Sequence, residues 1–228
     1  MDKLINNHNV TILKHNSKLE ISLIDQEKYL VLINDKSKEK YDLDFTVNNK
    51  FTKLFIADIS SLNLNCNIKF NFLNESAKIY LYMASLTEQK FSKNFKIHAY
   101  HDKKQTISDL HIYGVAKDES SINVICKSEI KEGSIDSETH QEIRLTILDK
   151  TSKASSDPIL IIDENEIMAS HANAIGMLDR EQIFYLQSRG LSYDNAKNLI
   201  INGFFKPIID EFNNYNVQEN IMTKLERV

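Results

Sequence analysis

The sequence predicts a mainly β protein that ends in an α-helical part, within 228 residues. In residues 61–72 every even position is apolar and every odd position is polar, which is the two-residue period of a strand. After residue 179 the period changes, and apolar residues recur at the spacing of one helix face. No convincing helical pattern interrupts the chain before residue 157, which argues against alternating βα units.

Short segments rich in β-branched, Leu and aromatic residues follow one another along residues 1–157, with polar turns between them. Sandwich, barrel and β-solenoid architectures all predict short strands at this spacing. No repeat of fixed length is present, but an irregular β-helix would hide its repeat, so these residues leave the three architectures open. Besides 61–72, the predicted strands are 19–24, 29–33, 41–47, 53–58, 77–83, 95–100, 108–115, 122–127, 142–148 and the run 159–162 before an acidic turn.

The first predicted helix has a readable start and end. Asp179 is a good N-cap residue, and Gln182 stands three residues later, as in a capping box. Gly190 suits the position just past the C-terminus of the helix. Between the strand that ends at Ile162 and this helix we predict a loop of small residues around His171.

A second helix is predicted to begin after Ser192, which can act as its N-cap. The ring of Pro207 would clash with the carbonyl group of Gly203, so we expect a kink or break between these residues. A last short helix is expected at about 216–226. The predicted domains are a β-helix or other β-domain at residues 1–175 and a C-terminal helical domain at residues 176–228.

The composition is typical of a globular protein of the cytoplasm. The formal net charge is −4, from 28 basic and 32 acidic residues, and predicts neither a nucleic-acid nor a membrane surface. No apolar run is long enough to span a bilayer, and the N-terminal residues lack a signal-peptide pattern. Cys66 and Cys126 are too few for a disulfide scaffold or a zinc finger, and their apolar neighbours predict buried positions.

Histidines are the main candidates for chemistry. His98 and His101 are three residues apart, which in a strand places them on opposite faces and makes them poor joint ligands. His171 lies beside Ser170 and Asn173, and is either a functional group or a loop residue that hydrogen-bonds the local backbone. Phosphate-binding glycine loops, a nucleophile elbow and the H-E-x-x-H zinc motif are absent, so motifs alone do not indicate an enzyme.

A specific pattern extends over residues 141–205. Its central stretch is SHANAIGMLDREQIFYLQSRGLS, and its other members are Gln141, Arg144, Pro158 to Leu160 with the acidic turn, Ala196 and residues 202–205. In these positions the chain resembles the SufB/SufD family of iron–sulfur cluster assembly scaffolds. The resemblance implies a right-handed parallel β-helix followed by a C-terminal helical part. It also implies two partners, a SufC-type ATPase on the C-terminal region and a SufB-like subunit that pairs through its β-helix.

At two positions the chain resembles SufD rather than SufB. Resemblance to SufB would imply a cysteine where this sequence has Ile143, and a glutamate directly after the histidine, where this sequence has Ala172. The resemblance places the functional histidine of SufD at His171, as a neutral nitrogen ligand of a nascent, transient cluster shared with the partner subunit. The chain looks short at its N-terminus compared with usual members.

The leading functional hypothesis is therefore a non-catalytic SufD-like scaffold, with ATP bound only by the partner ATPase. The chain is a candidate homodimer when isolated. We expect the C-terminal helices to bind the ATPase through Phe184, Tyr185 and Phe205, as apolar residues that the isolated fold does not bury. The alternatives are a purely structural β-solenoid, in which His171 is a packed loop residue, and a carbohydrate-active β-helix enzyme.

Overall fold

The computed structural model describes residues 10–13, 18–23, 28–33 and 39–212. Within these ranges the chain forms thirteen strands followed by two helices. The strands are β1 (Val10–Leu13), β2 (Lys18–Leu23), β3 (Lys28–Ile33), β4 (Lys40–Val47), β5 (Thr52–Asp58), β6 (Leu64–Phe72), β7 (Lys78–Thr87), β8 (Ser92–His101), β9 (Ile107–Ala116), β10 (Ser121–Ile130), β11 (Ser137–Ile147), β12 (Lys153–Ile162) and β13 (Ile167–Met177), and the helices are α1 (Arg180–Ser188) and α2 (Tyr193–Phe212).

Successive strands alternate between two parallel sheets. The odd-numbered strands form a seven-stranded sheet in the order β1-β3-β5-β7-β9-β11-β13, and the even-numbered strands form a six-stranded sheet from β2 to β12. Each coil of the chain thus adds one strand to each sheet, which is the architecture of a β-solenoid. The predicted mainly β fold with a C-terminal helical part is confirmed, and of the three open architectures the chain adopts the solenoid.

The coils differ in length, which explains why the sequence has no fixed repeat. The paired residues Val10 and Leu30 are 20 positions apart, whereas Ser121 and Lys153 are 32 positions apart. Many corners between strands need a left-handed backbone, and most of them are occupied by residues other than glycine. These residues are Ser76, Gln89, Lys90, Gln105, Asp118, Glu119 and Asp136.

Alternating side chains from both sheets fill the interior of the solenoid. The even positions of β6 are buried, as the alternation in 61–72 predicts, and Phe45 stacks on Phe70 with ring centroids 5.4 Å apart. Cys66 and Cys126 are free and fully buried, so their predicted core positions are confirmed. Burial raises the pKa of both thiols, that of Cys126 to about 12, and neither is an accessible thiolate.

One ion pair is enclosed in this interior. The Nζ atom of Lys93 lies 2.7 Å from the Oδ2 atom of Asp58, and both side chains are inaccessible to solvent. Lys93 also donates to the carbonyl oxygen of Leu86, and Asp58 accepts from the hydroxyl groups of Ser60 and Ser85. The charges are therefore paired and hydrogen-bonded, which is the condition for burying them.

Helix α1 begins and ends at the predicted residues. The side chain of Asp179 accepts a hydrogen bond from the backbone N–H of Glu181, and Gly190 follows the helix with φ at 96°. The N-cap prediction is therefore confirmed, although the bond goes to Glu181 rather than to Gln182. No helix in the described part of the chain is long and apolar enough to cross a bilayer.

Helix α2 packs on the outer face of the odd-numbered sheet. Phe205, Ile208 and Ile209 are buried there against outward-facing residues of β5 and β7. The helix runs without a break from Tyr193 to Phe212 with Pro207 inside it, so of the predicted kink or break the break is wrong and the kink stays a prediction. Packing on both sides of Pro207 offsets the one backbone hydrogen bond that proline removes. The predicted helix at 216–226 lies outside the described residues.

Candidate functional site

His171 lies in strand β13, and the loop predicted around it is wrong. Residues 167–177 pair in parallel with β11 over their whole length, with His171 opposite Gln141. The sequence of this segment does not predict a strand, because apolar and polar residues do not alternate along it. Nearly all of its residues are exposed, so neither face requires apolar side chains. It belongs to the last coil of the solenoid, so no further coil of the described chain covers it.

The last coil, formed by β12 and β13, presents two free strand edges. Among the described residues, each strand lies at the end of its sheet and pairs on one side only, with β10 or with β11. Because paired residues of parallel strands point to the same face, His171 shares the inward-facing row of the buried Gln141. On the same row, Asn173 accepts a hydrogen bond from the hydroxyl group of Ser156 across the coil, at 2.6 Å.

Pro158 lies in the middle of the free edge of β12. The backbone N–H groups of Lys153 and Asp163 donate to carbonyl oxygens of the preceding coil. By alternation, even-numbered residues of β12 direct their N–H positions to the free edge, and Pro158 is one of them. The missing N–H of proline therefore falls on the free side, which is where a strand tolerates it.

A buried polar network lies directly below the last coil. The Nε2 atom of Gln141 donates to the hydroxyl oxygen of Ser128 at 2.8 Å and to the carbonyl oxygen of Ile159 at 3.2 Å. Ser128 in turn accepts from the hydroxyl group of Thr139. Polar groups therefore extend from the interior to the level of His171.

His101 belongs to the same interior, where two hydroxyl groups hold its ring. Its ring nitrogens lie 2.7 Å from the hydroxyl group of Thr106 and 2.9 Å from that of Ser108. Burial lowers the pKa of His101 to about 3, so the ring is neutral and held by hydroxyl groups. His98 instead faces outward and lies 3.3 Å from the carboxylate of Glu129, so the predicted opposite faces are confirmed.

A second histidine cluster on the outer face of the odd-numbered sheet was not predicted. His111 lies between two carboxylates, with Nε2 3.0 Å from Asp109 and Nδ1 2.7 Å from Glu142, and its ring stacks on Tyr82. The hydrogen bond with Asp109 is the main cause that raises the pKa of His111 above its usual value. The only sequence signal is the two-residue spacing of Asp109 and His111, because Glu142 comes from the next coil.

The three predicted partner-binding residues fall into two groups. Phe184 is 73% exposed and Tyr185 is 56% exposed on α1, as expected for residues that the fold leaves uncovered. Phe205 is 2% exposed, because α2 directs it into the cluster against the outer face of the sheet. The premise that the isolated fold leaves Phe205 unburied is therefore wrong. Arg189 lies over the ring of Tyr185, 5.3 Å from its centroid.

Within the described residues, His171 lies in no cluster of potential metal ligands. In the ranges that the structure describes, no three or more His, Cys, Asp and Glu side chains are arranged to hold a metal ion. A neutral imidazole can supply one nitrogen to iron. The exposed position of His171 on the last coil leaves its ring accessible from outside the chain.

The comparisons with known proteins point to one family. The family model described as "SUF system FeS cluster assembly, SufBD core domain" matches residues 3–204. The iron–sulfur cluster assembly protein SufD of Bacillus subtilis (strain 168) is 31% identical over 136 residues, which cover 60% of this chain and 31% of that protein.

Two SufBD family proteins of iron–sulfur cluster assembly are also similar. That of Mycobacterium leprae is 38% identical over 90 residues, which cover 39% of this chain and 23% of that protein. That of Pyrococcus horikoshii is 33% identical over 97 residues, which cover 42% of this chain and 21% of that protein. The matched part of the chain spans under a third of the length of these relatives. Because the family model covers most of this sequence, the chain belongs to the SufBD core family of the SUF system for iron–sulfur cluster assembly.

Proposed function

We propose that this chain is a SufD-like, non-catalytic scaffold subunit of a cytoplasmic iron–sulfur cluster assembly complex. The observation that carries the proposal is the position of His171, on the exposed last coil of the solenoid and beside a free strand edge. A ligand at an open end of a solenoid is accessible to a second subunit. The similarity to SufD supports the same assignment.

The last coil is the surface on which a SufB-like subunit would pair. The free edges of β12 and β13 carry unpaired backbone N–H and C=O groups, and a strand of a partner can satisfy such groups by extending the sheet. Pro158 removes one donor from the edge of β12, so the longer edge of β13 offers the more continuous row. A partner docked there would bring its own side chains next to His171.

The nascent cluster is the cargo of this interface rather than a resident cofactor. The neutral imidazole of His171 would supply one nitrogen, and thiolates of the partner would supply the other ligands. Neither cysteine of this chain can replace them, because Cys66 and Cys126 are buried and their thiol pKa values are raised. ATP would be bound by the partner ATPase.

The ATPase would dock on α1. Phe184 and Tyr185 are adjacent, aromatic and largely exposed, which is typical of residues that dominate binding energy at protein interfaces. Phe205 is no longer part of this proposed surface, because it packs inside the chain. Arg189, stacked on Tyr185, adds a positive charge at the edge of the aromatic pair.

The role of His171 is tested by reconstituting the complex with His171→Ala and measuring its iron and sulfide content. We expect the variant to fold and assemble but to hold little cluster, because the side chain of His171 is exposed and does not fill the apolar core. His140→Ala is the matched control, since His140 lies on the neighbouring strand but faces outward. Normal iron and sulfide content in His171→Ala would contradict the proposal.

A further inference from the structure

One buried acceptor next to His171 has no hydrogen-bond partner among the described residues. Gln141 is fully buried, and its Oε1 atom is shielded from solvent and unpaired. An unsatisfied buried acceptor costs free energy, so such an atom in a native protein calls for a partner.

The orientation of the Gln141 carboxamide follows from its other contacts. Its Nε2 atom lies 3.2 Å from the carbonyl oxygen of Ile159, which can only accept a hydrogen bond. The nitrogen is therefore the atom that faces Ile159 and Ser128, and the unpaired atom is the oxygen. An oxygen accepts from an N–H group and cannot donate to the lone pair of an imidazole.

The neighbours of Gln141 in register are Leu110 on one side and His171 on the other. Leu110 has no donor in its side chain. His171 has a ring N–H, points to the same face, and is about 4.8 Å away along the sheet, within reach of a rotation of its side chain. His171 is thus the donor best placed for the unpaired oxygen.

We propose that Gln141 is a positioning residue for His171: its Oε1 atom accepts the ring N–H of His171, which fixes one tautomer and directs the other nitrogen's lone pair outward. The role is that of an outer partner that orients a metal-binding imidazole. Binding of this lone pair to the iron of a cluster rests on the proposed function, whereas the hydrogen bond between Gln141 and His171 does not.

The test measures the ratio of the two tautomers of His171 by NMR, in the full chain labelled with ¹⁵N-histidine. The pH is held above the usual histidine pKa of about 6.5. His171→Ala identifies the signal among the seven histidines. We expect one tautomer in roughly tenfold excess, as one hydrogen bond to a buried acceptor can contribute. Gln141→Leu should return the ratio to that of a solvent-exposed histidine, and Gln141→Met serves if the leucine variant does not fold.

Thr139→Val is the matched control, because it perturbs the same polar network while its neighbour in register, Ala169, is no donor. It should leave the tautomer ratio of His171 unchanged. An unchanged ratio in Gln141→Leu or Gln141→Met, or an equal loss in Thr139→Val, would overturn the inference. If Gln141 fixes the tautomer but His171→Ala still assembles clusters, the inference holds and the proposed function fails.

Discussion

Two phenylalanines near the C-terminus should have opposite roles. Phe205 is 2% exposed in the contact between α2 and the sheet, whereas Phe184 is 73% exposed on α1. Replacing a buried phenylalanine by alanine typically costs about 3–5 kcal/mol, through lost apolar contact and the cavity that remains. An exposed substitution away from such contacts usually changes stability by less than about 0.5 kcal/mol. Phe205→Ala should therefore destabilise the chain, and Phe184→Ala should not.

The assay pairs urea denaturation with retention of the SufC-type ATPase in a pull-down. Phe184→Ala should keep the wild-type unfolding midpoint and lose the ATPase, while Phe205→Ala should lower the midpoint. Phe51→Ala, at an exposed phenylalanine outside the helices, should change ATPase retention little. Equal midpoints for Phe205→Ala and the wild-type chain would refute the packing argument. Full ATPase retention by Phe184→Ala would refute the docking surface.

Two further predictions concern charged groups. Lys93→Met should lower the free energy of unfolding by about 3–5 kcal/mol, because it leaves the carboxylate of Asp58 buried without its counter-charge. Adding Asp58→Asn should restore part of the loss, and urea denaturation checks both; a tolerated Lys93→Met would contradict the prediction. Asp109 and Glu142 raise the pKa of His111 in the folded chain, so the stability they add is complete below about pH 6.5. This stability should be lost as the pH rises through the folded pKa, so the difference between wild type and His111→Gln should shrink towards alkaline pH. A difference in the free energy of unfolding that stays constant with pH would contradict this prediction.

The strand and helix pattern was predictable wherever burial differs between the two faces of an element. Residues 61–72 alternate because one face of β6 lies in the core and the other in solvent. The same reasoning fails at β13, where both faces are exposed and small residues carry little strand preference. The strand around His171 is therefore defined by pairing with β11 rather than by its own pattern.

The other differences arise from contacts between distant parts of the chain. The helical pattern around Phe205 predicts an apolar face, but only the packing of α2 on the sheet decides that Phe205 is covered and Phe184 is not. The same packing accommodates Pro207 within a continuous helix. The contact of His111 with Glu142 joins residues of successive coils, and unequal coil lengths hide such pairs in the sequence.

The proposed scaffold role is tested by co-expression of this chain with the SufC- and SufB-type proteins of the same organism, followed by affinity purification and mass measurement. We expect one stable assembly that contains this chain, the ATPase and the SufB-like subunit. A chain that is purified without the ATPase, under conditions in which those two partners bind each other, would rule out the scaffold role and favour a purely structural solenoid.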